Sequence, residues 1–211
     1  MMLVRVPVYP SEQVIFPGQV MPLPARDQRL PRILRFCREK RRQLGVVYVP
    51  DERGHALARV GTLAHLIVEG GPETNGEAQL VVGSARFKIL QLHQDRTFLE
   101  ATVRVWPWRE QPEPPWALGD YLHRYARAFS DLMPPALIPD LLKPDAATLG
   151  VLAAAILHLS PSDKQALLEL PSAEALLCAV QQYLRLHVPL AEQLASMPPP
   201  GDGVHERILM N

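Results

Sequence analysis

The 211-residue sequence has little of what most often declares a function. Only Cys37 and Cys178 are present, with no C-x-x-C and no ligand-like spacing. That excludes a zinc-ribbon or disulfide-scaffold reading and fits a reducing compartment, with a Cys37–Cys178 pairing left open. The seven histidines are scattered, without an H-x-x-x-H or H-E-x-x-H pair, so no metal is expected. There is no G-x-x-x-x-G-K-[ST], no G-x-G-x-x-G and no G-x-S-x-G. Gly70-Gly71 runs into Pro72 and Glu73, which would repel a phosphate. No cofactor is expected, and no enzyme. Formal net charge is zero, so composition demands no nucleic acid. Pro7 and Pro10 interrupt the N-terminus, which lacks the charged-then-apolar pattern of a secretion signal. The longest apolar stretch, Leu149 to Leu159, falls well short of the ~20 residues of a membrane span. A soluble, cytoplasmic protein with no membrane partner is the expectation.

Proline, by contrast, is abundant, with 22 residues. The stretch Val14-Ile15-Phe16-Pro17-Gly18-Gln19-Val20-Met21-Pro22-Leu23-Pro24 sets two short apolar runs on either side of Pro17-Gly18. Proline at the second turn position presets φ, and glycine at the third accepts φ > 0, so a type II turn is predicted. Leu3 to Val8 reads as another proline-interrupted strand. Proline cannot donate to a ladder, which places such strands at edges, ends or bulges. An apolar edge of this kind is one of the few surfaces a small domain can offer to an extended peptide. Ile15, Phe16, Val20, Met21 and Leu23 are therefore the candidate peptide-binding residues; the alternative is that they only close a core.

Asp27 is placed to cap a helix over about 28–43, with Leu30, Ile33, Leu34 and Cys37 at helical spacing. Gly45 to Pro50 reads as a buried strand, 51–54 as a turn, and Val60 to Val68 as a strand inside a sheet. Residues 70–76 read as a loop. Three strands follow: Ala78 to Val82 leading into Gly83, Ala85 to Leu92 with a phase shift as at a bulge, and Leu99 to Val105. Short strands with one early helix predict a small mixed barrel or highly curved sheet over residues 1–106. The run Trp106 to Trp116 is rich in proline and tryptophan, and 107–116 reads as a stiff connector. Its tryptophans suit interface anchors or the packing of strand end against helices.

Beyond it the chain reads as helical, with helices from Leu118 to Met133, from near Asp145, from Ser160-Pro161 and from Pro171-Ser172. A helical bundle over 117–187 is predicted, followed by an extended tail over 188–211 that includes the Pro/Gly run after Met197. Charge divides similarly: residues 1–110 carry 16 basic against 11 acidic side chains, and 111–211 carry 6 against 11. Much of that excess lies on the helix at 28–43. Its Arg35, Arg38, Arg41 and Arg42 make either a solvated face or a surface for acidic partners or RNA.

Taken in order, these motifs resemble a known family. Pro7-Val8-Tyr9-Pro10, Val14-Ile15-Phe16-Pro17-Gly18 and Met21-Pro22-Leu23 resemble the opening of the Lon protease N-terminal, substrate-binding domain. Gly45-Val46-Val47, Val60-Gly61-Thr62, Val82 to Phe87 and Lys164-Gln165-Ala166-Leu167-Leu168-Glu169 follow in the family's order, over residues 3–187. The resemblance implies an α+β fold, a PUA-like mixed β-barrel with an inserted helix and a C-terminal helical bundle. A similar domain occurs in cereblon. It also implies a non-catalytic, stand-alone recognition module for unfolded or tagged proteins, without ATPase or protease parts and possessing an adaptor's role. RNA binding through 28–43 is the alternative. The chain departs from the family after Leu23, where Pro24-Ala25-Arg26-Asp27-Gln28-Arg29 replaces an aromatic-containing run.

Overall fold

A computed structural model describes residues 3–24, 27–50, 56–67, 79–94, 97–108, 112–128 and 145–196. The turn expected at 51–54 and the loop at 70–76 lie outside the described residues. By contacts the chain divides into two units, residues 1–114 with 144–180, and residues 115–143 with 181–211. Residues 144–180, part of the expected bundle, group with the strands in this division.

The first unit contains β1 (Leu3–Ser11), β2 (Val20–Leu23), α1 (Leu30–Lys40), β3 (Leu44–Tyr48), β4 (Val60–Ile67), β5 (Gln79–His93) and β6 (Glu100–Val105). They form one six-stranded sheet in the order β2-β5-β4-β3-β1-β6, and β5 also pairs with β6. β1 and β3 run parallel, with Val8 opposite Gly45, while the other pairings are antiparallel. A parallel pair needs a crossover, and the segment carrying β2 and α1 supplies it. The expected mixed barrel or highly curved sheet is met in part: β5 pairs with both β4 and β6, so the sheet curls back on itself, while β2 pairs only with β5 among the described strands and keeps an edge.

Alternation explains why β3 and β4 read as apolar on both faces. Val46 and Ala64 join one buried cluster with Leu30, Ile33 and Cys37 of α1. Their neighbours Val47 and Leu63 join another with Val6, Phe87 and Val103. Successive side chains leave a strand on opposite sides, so a strand between two apolar layers needs no polar positions. Burying each leucine or isoleucine of α1 contributes about 1.5–3 kcal/mol relative to leaving it exposed.

α1 is shorter than the expected 28–43. Its N-cap is Arg29, with no side-chain capping bond, and Asp27 is not the cap. At the other end Arg41 turns left-handed (φ +49°), and the Arg42 amide donates to the Cys37 carbonyl at 2.9 Å. This six-to-one closure ends the helix and satisfies a carbonyl that would otherwise be orphaned.

The first unit also holds α3 (Ala146–Ile156), α4 (Pro161–Leu168) and the beginning of α5 (Ala173–Ser196). Helices begin near Asp145 and at Ser160-Pro161 as expected, and Asp145 and Ser160 cap them, accepting from the Thr148 and Asp163 amides. α4 joins the sheet through polar contacts: the Gln165 side-chain amide donates to the Val60 carbonyl at 3.0 Å, and the Tyr48 and Ser162 hydroxyls lie 3.1 Å apart. The second unit contains α2 (Leu118–Ala128) and the rest of α5. There Arg124 makes a two-pronged bond to Glu192, at 2.8 and 2.7 Å. The tail expected from 188 is corrected as well, since α5 continues through Pro189 to Ser196. The part of the helix expected over 129–133 lies outside the described residues.

Candidate functional site

The Pro17-Gly18 turn forms as the residues dictate. Gly18 sits at φ +81°, the Gln19 amide donates to the Phe16 carbonyl at 3.1 Å, and the Gln19 side-chain oxygen accepts from the Phe16 amide at 3.0 Å. The turn lies against β5, where the Gly83 amide donates to Gln19 and the Gly83 carbonyl accepts from Gly18. β2 then continues the pairing, Val20 opposite Val82 through Leu23 opposite Gln79.

Because Gln19 directs its carbonyl at β5, alternation points Met21 and Leu23 the same way along the ladder. The backbone groups of Val20 and Pro22 then face away from β5. Proline therefore occupies a position whose missing N–H costs no ladder bond, as an edge strand allows. On that side lies a groove of about 640 Å³ between the end of β1 and β2, lined among others by Tyr9, Ser11, Met21, Pro22, Leu23 and Arg29.

One wall is held by a polar cluster. The Tyr9 hydroxyl donates to Asp27 at 3.1 Å, and Arg29 donates to the same carboxylate from Nε (2.9 Å), Nη2 (2.6 Å) and its backbone amide (2.9 Å). The Arg29 guanidinium also lies 5.6 Å from the Tyr9 ring centroid. Asp27 thus acts as an anchor between β1 and the entry to α1. Hydrogen bonds from Arg29 hold its carboxyl down to about 2, against the effect of burial. Burial, then the charge of Asp27, pushes the Tyr9 hydroxyl up to about 12.

These shifts predict a pH profile. Between about pH 2 and 4 the unfolded chain binds a proton at Asp27 that the folded chain does not, so stability falls as pH falls through that window. Between about 10 and 12 the folded chain keeps the Tyr9 proton that the unfolded chain has lost, so stability falls as pH rises. Asp27→Asn is expected to destabilise at pH 7 by about 1 kcal/mol, Arg29 being solvent-screened, with the gap closing towards pH 2. Urea titrations at pH 7 and pH 2 check this.

The sequence candidates fall in different places. Ile15 and Phe16 are 2% and 0% exposed and belong to the core, so their assignment to peptide contact is corrected. Met21 and Leu23 are also buried, yet they form part of the groove floor. Val20 is half exposed on the edge strand. Pro22, Tyr9 and Arg29 were not among the candidates; the prolines were the available signal for Pro22. On the basic face Arg38 bonds to the Gln79 side chain and Arg42 donates to the Arg5 carbonyl at 3.0 Å, while Arg35 and Arg41 are exposed. Among the tryptophans, Trp106 and Trp108 flank the Arg86 guanidinium, at 3.8 and 3.6 Å from the ring centroids, and Trp116 is exposed. Among the described residues no group of histidine, cysteine, aspartate and glutamate is gathered as for a metal, and no helix is long and apolar enough to cross a membrane.

Comparison with known proteins places this geometry. The chain is 28% identical over 190 residues to Lon protease 2 of Myxococcus xanthus, an overlap of 84% of this chain and 23% of that protein. It is 29% identical over 147 residues to the Lon protease of Anaeromyxobacter dehalogenans, covering 65% of this chain and 17% of that protein. It thus spans about a fifth of the length of these relatives. Two solved structures share the fold: a Lon N-terminal domain protein from Xanthomonas campestris (TM-score 0.62, 20% identity, 92% of this chain and 99% of the other) and the N-terminal domain of the Mycobacterium avium complex Lon protease (TM-score 0.67, 18% identity, 87% and 100%). The family model for the ATP-dependent protease La (LON) substrate-binding domain matches residues 5–185, and the chain belongs to that family.

Proposed function

We propose that the chain is a non-catalytic recognition module that holds unfolded or extended protein segments in the groove between β1 and β2. The observation that carries this reading is the open β2 edge beside an apolar-floored groove, in a chain of the substrate-binding family. An extended segment would meet the outward backbone groups of Val20 and Pro22 as an added strand, with side chains over Met21 and Leu23. Folded proteins have few unpaired strands to offer, so selection for unfolded clients follows from the backbone. An adaptor's role, passing such clients to protease or ATPase machinery, is the finer form of the proposal. A PUA-like description of the curled sheet belongs with it, supported by the β5–β6 pairing that folds the sheet back.

The test is binding of reduced, carboxymethylated lactalbumin against its native, disulfide-bonded form, by fluorescence anisotropy. The unfolded form is expected to bind and the native form not to. Pro22→Asp, which puts a charge on the groove wall, is expected to weaken binding about tenfold, the cost of leaving one charged or polar group poorly paired. Equal binding of both forms, or no effect of Pro22→Asp, would count against the site. Nucleic-acid binding through the arginines gains nothing from the geometry, since Arg38 and Arg42 already bond within the chain.

A further inference from the structure

β5 is 15 residues long, and β4 covers only part of one edge. The β4–β5 register ends at Val60 opposite Lys88, and one further bond runs from the Ile89 amide to the Arg59 carbonyl at 2.9 Å. β6 holds the opposite edge of β5 from Phe87 to His93. From Leu90 to His93 the edge facing the β4 side therefore has no strand partner among the described residues.

In place of a strand there is a groove of about 470 Å³, walled by Leu57, Ala58 and Arg59 on one side and by Ile89, Leu90 and Leu92 on the other. Leu90 is the extra residue of the bulge against β6. It is 51% exposed and Leu92 is 45% exposed. Exposed sheet edges are ordinarily blunted by proline, lysine or inward charge. The run Leu90-Gln91-Leu92-His93 carries neither proline, lysine nor acid. Among the described residues this apolar, hydrogen-bonding edge has no strand against it.

We propose that this groove is a second strand-acceptor site, taking a short extended apolar segment of a client protein antiparallel to β5, in the line that β4 vacates. The proposal rests on the reading of the chain as a binder of unfolded segments, but uses a different edge. The occupant follows from the size and chemistry of the site. Four residues of edge cannot supply the roughly 800 Å² per partner of a stable dimer interface, whereas they match a tetrapeptide's backbone. An extended chain both satisfies the outward N–H and C=O groups and covers two leucines.

The experiment uses the full chain and a fluorescein-labelled seven-residue peptide alternating valine and threonine between two lysines. Three readouts are combined: affinity, amide hydrogen exchange, and affinity for the same peptide N-methylated at alternate residues. The double variant Leu90→Lys/Leu92→Lys changes exposed side chains only, and its thermal melt verifies folding. Expected are slowed exchange over 89–93 on peptide addition, and about tenfold weaker binding both for the variant and for the N-methylated peptide. Protection confined to 20–24, with binding lost in Pro22→Asp but kept in the double variant, overturns this second site and leaves the first. Failure of the wild-type chain to bind either this peptide or carboxymethylated lactalbumin overturns both. A protein-concentration-dependent dimer abolished by the double variant assigns the edge to a second copy and overturns the peptide reading.

Discussion

Replacing Arg86 with alanine is expected to lower the unfolding free energy of the first unit by about 3–5 kcal/mol, the range for truncating a large buried side chain and taking the donor from its buried acceptors. Arg86 is 1% exposed. Its Nε donates to the Trp106 carbonyl at 2.6 Å, and its Nη1 donates to the Leu168 and Leu170 carbonyls at 2.9 and 2.6 Å. The last two lie at the C-terminal end of α4, where carbonyls have no helical partner and a cation is favoured. The two tryptophan rings enclose the guanidinium, and Lys88 Nζ lies 3.4 Å from the Trp106 ring centroid. Alanine would take this donor from the carbonyls, leaving Leu170 the Trp108 indole N–H at 3.2 Å, and open a void between the rings. Arg86→Lys keeps the charge but not the planar fork, so an intermediate loss is expected. Chemical denaturation followed by tryptophan fluorescence measures both; equal stability of Arg86→Ala and wild type would contradict this role of Arg86.

The second large effect is at Gly83. A Cβ there would lie 2.3 Å from the Phe16 carbonyl oxygen and 3.0 Å from its carbon. Both obstacles are backbone, fixed by the turn that Gly83 itself bonds to through Gly18 and Gln19. Gly83→Ala must therefore separate β5 from the Pro17-Gly18 turn, and about 2–3 kcal/mol is expected to be lost, at the upper end for overpacking. Gly18→Ala makes an informative contrast. Nothing lies within 4 Å of its Cβ, so only the left-handed backbone is strained, by about 1 kcal/mol. Thermal melts of the two variants should rank them in that order. The Gly83 change should also disturb the β2 groove, because the same turn delivers β2 to β5.

How legible these features were depends on distance along the chain. The type II turn was readable because Pro17 and Gly18 settle it within four residues. The helix start at Ser160-Pro161 was readable for the same reason. The bulge after Ile89 showed as a phase shift in the apolar pattern. Arg86 could be marked only as part of a motif, since its helix-end acceptors lie 82 and 84 residues away. The tryptophans beside it looked like a connector for the same reason. Lys164 and Gln165 likewise read as letters of a family run; in the fold they bond the Ala155 and Val60 carbonyls, so they hold helices and sheet together.

The candidate site was half legible. An apolar stretch looks the same whether it lines a groove or fills a core, and only the packing of α1 decides. That packing buries Ile15, Met21 and Leu23 alike, and the last two also line the groove. Asp27 looked like a helix cap because the cap residue types also serve as side-chain anchors; Tyr9, 18 residues away, and Arg29 claim it instead. Glu100 alternates to the polar side of β6 yet is 2% exposed, with Arg5 at 3.0 Å, because alternation gives a side and not its cover. The β5 edge was invisible for a related reason: an unpaired edge is a property of where the neighbouring strand stops.

The central claim is that β2 and the end of β1 hold an extended client segment. Photo-crosslinking tests it most directly, with carboxymethylated lactalbumin carrying a benzophenone label and the crosslinked residues mapped by mass spectrometry. The account predicts crosslinks at Ser11–Gln13 and Val20–Pro24 that are lost in Pro22→Asp. Crosslinks confined to the α1 face of Arg35, Arg38, Arg41 and Arg42 would contradict it.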